Sequence, residues 1–181
     1  MQNQTEVTHG PQMLQESEHP LLDLFGPTVQ FLTSPEEAEG TFCILISVIP
    51  RDGFIPIHSH EDIECFFMLS GQQEVVVEEQ GKFRRIVCNP GEFIQVPNGV
   101  KHGLLNRSAK PASSLIVTTA KLGRFYKEIG RPIAPGSQQE IPTADELQYF
   151  INAAKRYGYW MATSEENAAV GISLVTPQGV P

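Results

Sequence analysis

The sequence has few features that would bind nucleic acid, cross a membrane or form disulfides. Its 181 residues carry a formal net charge of −8 at pH 7, so nucleic-acid phosphates and anionic lipid surfaces would repel it. No apolar run approaches the roughly 20 residues that a membrane-spanning helix needs. The three cysteines, Cys43, Cys65 and Cys88, are an odd number without a C-x-x-C pair, which favours reduced thiols. We therefore expect no nucleic-acid partner and no membrane partner.

The first residues also lack the marks of a secretory leader. The stretch MQNQTEVTHGPQMLQESEHP contains neither a basic start nor an apolar segment, both of which a signal peptide needs. Together with reduced thiols, this favours a cytoplasmic location. The sequence has no phosphate-binding glycine loop, no serine-nucleophile motif and no carboxylate pair with a clear glycosidase spacing, so these enzyme classes receive no support.

What the sequence does contain is a series of short β-strand patterns. Between residues 28 and 121, segments rich in Val, Ile, Phe and Thr alternate with turn residues, as in TFCILISVI, ECFFMLSG, QEVVVEE and SLIVTTA. Seven or more such strands predict an all-β sandwich or barrel. We therefore divide the chain into an N-terminal arm (1–25) that is partly mobile, a β-barrel (26–121), and a C-terminal helical extension and tail (122–181).

The C-terminal extension contains one clear helix pattern, TADELQYFINAAKRYG. Thr143 and Glu146 have the spacing of a capping box, and Gly158 can end the helix. Apolar side chains recur at i, i+3, i+4 and i+7, namely at Leu147, Phe150, Ile151 and Ala154. We expect this stripe to pack on the outside of the barrel. The alternatives are a partner subunit or a lid over the barrel mouth.

Two histidines stand one residue apart at the start of the segment HSHEDIE. Because alternate residues of a strand point to the same face, His58 and His60 are expected to lie on one side of a sheet. Glu64 has the same parity, but a turn within the segment would break it. That possibility leaves two rival carboxylates, Glu61 and Asp62.

A second pattern lies downstream in GEFIQVPNGVKHGLLN, residues 91–106. It resembles the second motif of the cupin family at every fixed position, namely Gly91, Pro97, Gly99, His102 and Asn106. The stretch 53–71 resembles the first cupin motif and departs from it once, because four residues rather than five separate Gly53 from His58. The segments around both motifs are similar to quercetinase-like (quercetin 2,3-dioxygenase-like) small cupins over about residues 27–160.

The resemblance implies a mainly β fold, a double-stranded β-helix (cupin or jelly-roll barrel) with a C-terminal helical extension, and a homodimer. Carried over by position, it implies that one divalent transition metal is held by His58, His60, Glu64 and His102. This donor set suits Fe, Mn, Ni, Cu or Zn and does not choose among them. The other two histidines, His9 and His19, are expected to be exposed to solvent.

A metal held in this way keeps positions for a small-molecule substrate that chelates it. The resemblance implies an oxygenase, dioxygenase-like, that acts on a small enolisable or aromatic substrate, with Glu64 as the catalytic group that takes the substrate's proton. The alternatives are a non-oxidative cupin enzyme (isomerase or decarboxylase) and a small-molecule-binding cupin without turnover. Strand parity places four more side chains toward the substrate cavity, Phe66, Met68, Leu104 and Asn106. The three apolar ones could instead fill the barrel core.

Overall fold

The structure is a computed structural model that describes residues 19–137 and 140–174. Within these ranges the strands form two sheets. The larger sheet contains β1 (Leu21–Asp23), β2 (Thr28–Thr33), β3 (Phe42–Ile49), β5 (Glu64–Ser70), β8 (Phe93–Val96), β10 (Ala112–Thr119) and β11 (Arg131–Ile133). The smaller sheet contains β4 (Phe54–Ser59), β6 (Gln73–Glu79), β7 (Lys82–Cys88), β9 (His102–Leu105) and β12 (Trp160–Met161).

The order of the strands shows how the two sheets are wound together. The larger sheet runs β11-β1-β2-β3-β10-β5-β8 and the smaller runs β12-β4-β9-β6-β7, and the paired strands are antiparallel. From β3 to β10 the chain passes back and forth between the sheets, except that β6 and β7 form a hairpin within the smaller sheet. The predicted mainly β fold, a double-stranded β-helix with a C-terminal helical extension, is confirmed.

The core lies between the two sheets because alternate side chains of each strand point inward. In β3 and β10 every second residue is buried, and the inward set includes Leu45, Ile49 and Ile116. The outer face of the larger sheet keeps exposed aromatic side chains, among them Phe67 and Phe93, which are direct cross-strand neighbours. The structure describes one chain, so the homodimer stays a prediction.

Three helices follow the barrel strands in the described residues, α1 (Ala120–Ile129), α2 (Ala144–Tyr157) and α3 (Ser164–Ala169). The predicted capping box of α2 is present, and Gly158 ends the helix in the left-handed conformation, with φ at 78°. Thr119 caps the start of α1, where its side chain accepts a hydrogen bond from the backbone N–H of Leu122.

The buried face of α2 differs from the predicted stripe. Ala153 and Ala154 are buried and Phe150 is half-buried, whereas Ile151 is 41% exposed. The reason is that α2 packs on α1 and on the turn after β1, where the ring of Phe150 meets Phe125 and Phe25 at centroid distances of 6.0 and 5.6 Å. Phe150 and Ala154 of the predicted stripe therefore lie on the packed face, together with Ala153, whereas Ile151 points away from it.

Both ends of the chain add strands to the sheets. In the predicted N-terminal arm, β1 pairs with β2 and with β11, and the predicted extension supplies β11 and β12. The exact domain boundaries stay a prediction. His19 is half-buried rather than fully exposed, and its Nε2 lies 2.9 Å from Glu37 Oε2 while its ring packs edge-on to Phe31. His9 lies outside the described residues.

Among the described residues, no helix has the length and hydrophobicity needed to cross a membrane.

The contact between α1 and α2 makes a testable distinction between two neighbouring residues. We expect Phe150→Ala to lower the free energy of unfolding by about 2–3 kcal/mol, because it leaves a void between α2, Phe125 and Phe25. Ile151→Ala is the matched control and should change it by less than about 0.5 kcal/mol, because its side chain faces solvent. Chemical denaturation measures both values. A larger loss for Ile151→Ala would show that Ile151, rather than Phe150, lies in the packed face.

Candidate metal centre

Strand β4 carries His58, with His60 just after its end, and a bulge sets the direction of His58. Its pairing with β9 shifts register between Ile55 and His58, and His58 then stands directly opposite His102. Gly103 faces the bulge, where a Cβ would lie 2.8 Å from Ile57 Cδ1 and 2.9 Å from the Ile55 carbonyl oxygen. Only glycine lets the two backbones approach this closely. The bulge therefore turns His58 toward its neighbour on β9.

Four side chains converge where the two sheets face each other. They come from β4, from the residue just after it, from the start of β5 and from the start of β9. Their ligand atoms all lie within 4.8 Å of one another, and the residues are His58, His60, Glu64 and His102. The rings of His58 and His60 have centroids 5.3 Å apart, as the strand parity predicts.

The structure also decides between the rival carboxylates. Glu61 is exposed and accepts a hydrogen bond from Asn98 Nδ2 at 3.4 Å, away from the histidines. Asp62 is buried, but its two carboxylate oxygens are taken by two hydroxyl groups, those of Thr119 and Tyr159. Glu64, the first residue of β5, is the carboxylate that faces the imidazoles.

Each of the three imidazoles is oriented by a backbone carbonyl oxygen. The distance from Nδ1 to the carbonyl oxygen is 2.7 Å between His58 and Pro56 and 3.0 Å between His60 and Asp62. It is 2.8 Å between His102 and Val100. A carbonyl oxygen only accepts hydrogen bonds, so each Nδ1 carries a proton. In a neutral ring the other nitrogen, Nε2, then has a free lone pair, and all three Nε2 atoms are directed at the cluster.

This arrangement crowds electron-rich atoms together. Glu64 Oε2 lies 2.9 Å from His102 Nε2 and 3.2 Å from His60 Nε2. His60 Nε2 is buried and makes no hydrogen bond, although it lies this close to Glu64 Oε2. His102 can satisfy both its carbonyl and Glu64 only as a doubly protonated ring, or with a metal ion in place of the Nε2 proton. A cation at the centre removes the repulsion, so these residues fit a divalent metal.

The charge states of His58 and Glu64 favour metal binding at neutral pH. At His60, burial by itself would lower the pKa, but the neighbouring Glu64 and Asp62 raise it, so this ring holds a proton more readily. Burial lowers the pKa of His58, the His102 and His60 rings act in the same direction, and Glu64 opposes them. His58 is thus neutral although it keeps partial exposure at the edge of the site. Burial by itself would raise the pKa of Glu64, but the hydrogen bond with His102 and the nearby His60 ring bring it well below its ordinary value. Glu64 is therefore ionised.

Tyr126 in α1 occupies the second oxygen of the carboxylate. Its hydroxyl donates to Glu64 Oε1 at 3.1 Å, while Glu64 Oε2 faces the imidazoles. Burial and the charge of Glu64 raise the pKa of Tyr126 well above its ordinary value, so the hydroxyl keeps its proton and remains a donor. Sequence patterns did not reveal this contact, because nothing in the local spacing of α1 relates it to β5.

Of the four residues predicted for the substrate cavity, three are packed in the apolar core and the fourth, Asn106, bonds backbone groups. Phe66, Met68 and Leu104 face the barrel interior, but they are at most 3% exposed and form part of the apolar core. The side chain of Asn106 makes structural contacts. Its amide Nδ2 lies within hydrogen-bond distance of three backbone carbonyl oxygens, those of Ile49, Pro50 and Lys110, and its Oδ1 accepts from the Ser108 N–H. Asn106 thus holds loops together, and its place in a substrate cavity stays a prediction.

Comparison with known proteins agrees with the barrel and its cluster. Residues 45–118, which include all four cluster residues, match the family model described as Cupin_2: Cupin domain. The predicted cupin resemblance is confirmed over this region. The narrower likeness to quercetinase-like proteins stays a prediction.

Two curated relatives are acireductone dioxygenases. The one from Gluconobacter oxydans (strain 621H) is 28% identical over 92 residues, which are 51% of this chain and 49% of that protein. The one from Parvibaculum lavamentivorans (strain DS-1) is 27% identical over 84 residues, which are 46% of each chain. The chain thus spans about half the length of these relatives.

The chain is also similar to solved structures at low identity. A cupin 2 domain-containing protein from Halorhodospira halophila is 16% identical with a TM-score of 0.48, and the match covers 74% of this chain and 84% of that one. The polyketide cyclase RemF from Streptomyces resistomycificus is 22% identical with a TM-score of 0.47, and the match covers 69% and 80%.

The contacts of Asn106 predict a loss of stability rather than of substrate binding. We expect Asn106→Ala to lower the free energy of unfolding by about 3 kcal/mol, because buried carbonyl oxygens lose their donor. The matched control is Asn98→Ala, whose exposed amide contacts Glu61 and whose loss should change stability by less than about 0.5 kcal/mol. Chemical denaturation compares the two. An Asn106→Ala protein as stable as the wild type would contradict the structural role of these contacts.

Proposed function

We propose that this protein is a metal-dependent dioxygenase that acts on a small enediol substrate of the acireductone type. The observation that carries the proposal is the cluster in which three carbonyl-oriented imidazoles aim Nε2 at one point beside an ionised carboxylate. The acireductone dioxygenase relatives support both the oxygen chemistry and the substrate class. A reductone is an enediol conjugated to a carbonyl, so it belongs to the enolisable compounds expected from the sequence.

The metal would be held by His58, His60, Glu64 and His102. When bound, such an ion supplies Lewis-acid and redox chemistry to a chelating substrate and oxygen. With one carboxylate and three neutral imidazoles as ligands, a divalent ion would keep a net charge of +1. This positive charge would attract an enediolate. Phe66, Met68 and Leu104 fill the barrel interior on the core side of the cluster, so they would exclude a large substrate from that side.

Glu64 would accept the proton that the enediol loses. Asp62 is the other buried carboxylate nearby, and both of its oxygens already accept hydrogen bonds. At Glu64 the hydroxyl of Tyr126 is the hydrogen-bond donor to Oε1, and it can rotate to accept a hydrogen bond when that oxygen becomes protonated. This pair can hold the proton without a change in backbone position.

Oxygen consumption tests the reaction. The protein is stripped with a chelator, loaded separately with Fe²⁺, Ni²⁺, Mn²⁺, Cu²⁺ or Zn²⁺, and mixed with an acireductone in an oxygen electrode. We expect at least one metal to give oxygen uptake that matches the loss of the enediol. A flavonol tested in parallel distinguishes the quercetinase-like alternative.

Three results would contradict the proposed reaction. Equal turnover without oxygen would favour a non-oxidative isomerase or decarboxylase. Tight binding of the acireductone without turnover, for every metal, would favour a binding protein. Oxygen uptake with the flavonol alone would assign a different substrate class.

Metal analysis tests the ligands independently of turnover. We expect His102→Gln and Glu64→Gln to reduce bound metal at least tenfold from about one ion per chain, because each removes a donor from the cluster. The control is His19→Gln, which changes a histidine bound to Glu37 and should retain full metal content. Elemental analysis after gel filtration gives the stoichiometry, and circular dichroism checks the fold. Full metal content in both cluster variants would exclude this site.

A further inference from the structure

Strand β4, which carries His58 and leads directly to His60, is bordered by the C-terminal extension. Strand β12 pairs with β4 at the sheet edge, where Trp160 is opposite Ser59 and Met161 is opposite His58. The backbone N–H of Ala162 donates to the Ile57 carbonyl oxygen at 2.9 Å. Trp160, Met161 and Ala162 lie outside the region 45–118 that matches the cupin model. The extension is thus a direct neighbour of the metal centre.

Tyr159 reaches the centre through Asp62. Its hydroxyl donates to Asp62 Oδ2 at 2.9 Å, and the hydroxyl of Thr119 donates to Asp62 Oδ1. With both oxygens held, the buried Asp62 keeps its backbone carbonyl in place to accept the Nδ1–H of His60 at 3.0 Å. The ring of Tyr159 also packs on the His60 ring, with centroids 5.2 Å apart. Tyr159 therefore restrains His60 both directly and through Asp62.

Asn167 in α3 reaches the centre through the bulge. Its side-chain Oδ1 accepts a hydrogen bond from the backbone N–H of Ile57 at 2.8 Å, in the segment where the register shifts. Its Nδ2 donates to the carbonyl oxygens of Ala162 and Thr163 at 3.2 and 2.9 Å. Asn167 is fully buried, and its bond to the Ile57 N–H is shielded from water. Ile57 immediately precedes His58, and a change in the bulge would redirect that ring.

We propose that residues 159–167 position two of the metal ligands. Tyr159 orients His60 through Asp62, and Asn167 orients His58 through Ile57. The inference rests on the proposed metal site and assigns positioning residues, because neither side chain contacts the ligand atoms at the centre. Groups that orient metal-binding histidines usually change metal affinity by 10- to 100-fold when they are removed.

Tyr159→Phe is the sharpest test, because it removes one hydroxyl and keeps the ring that packs on His60. The matched control is Tyr149→Phe in α2, whose exposed hydroxyl contacts Glu128 Oε1 at 3.3 Å. The full-length proteins are titrated with Co²⁺ against a chromophoric chelator, and the visible spectrum of the Co²⁺ form is recorded. Thermal unfolding of the metal-free proteins reports any general loss of stability.

We expect Tyr159→Phe to bind Co²⁺ about tenfold more weakly and to shift its visible bands, because His60 is no longer held in one orientation. Tyr149→Phe should match the wild type in both. A merely structural role for Tyr159 would lower the unfolding temperature and leave the spectrum of the bound Co²⁺ unchanged. That result, or unchanged affinity and spectrum, would overturn the assignment of Tyr159.

Asn167→Ala provides a second measurement, with Asn152→Ala on the exposed side of α2 as its control. We expect Asn167→Ala to weaken Co²⁺ binding at least tenfold, since the N–H of Ile57 loses its acceptor, and Asn152→Ala to have no effect. If the wild type binds Co²⁺ and all four variants match it, the inference fails while the metal site stands. If the wild type itself binds no metal ion, the proposed site and this inference both fail.

Discussion

Three backbone carbonyl oxygens govern the chemistry of this protein. By accepting the Nδ1 protons of His58, His60 and His102, they force the three Nε2 lone pairs toward one point. Glu64 adds an ionised oxygen 2.9 Å from the nearest of them. Burying so many electron-rich atoms together is unfavourable unless a cation lies among them. The fold must therefore be stable enough to hold the cluster before any ion binds.

The barrel supplies that stability because the cluster draws on both sheets. His58 and His102 are opposite each other on β4 and β9 of the smaller sheet, whereas Glu64 begins β5 in the larger one. The apolar side chains between the sheets keep the two faces at a fixed separation, since packed interiors resist compression and expansion. Rotating either sheet would separate Glu64 from the imidazoles. The distance between donor atoms is thus a property of the packed core rather than of any one loop.

The sequence predicted features that depend on local spacing and missed those that depend on tertiary contacts. Strand parity placed His58 and His60 on one side, and the spacing of Thr143 and Glu146 gave the capping box, because both follow from backbone geometry within a few residues. Parity could not show that Asn106 bonds the carbonyl oxygens of Ile49 and Pro50, which are 57 and 56 residues away. Nor could the helical pattern show that α2 buries Ala153 and leaves Ile151 exposed. No local pattern links Tyr159 to Asp62, which are 97 residues apart in the chain.

These long-range contacts bear on how a substrate would reach the proposed metal site. His60, Glu64 and His102 are buried, and His58 is the cluster residue that keeps partial exposure, so approach from solvent is open on its side. Met161 of β12 stands directly opposite His58, which brings the extension to that same edge. A segment that both restrains the ligands and borders the open side can alter substrate size and metal geometry together. Divergence in this segment can therefore change the reaction while the barrel and its four donors stay the same.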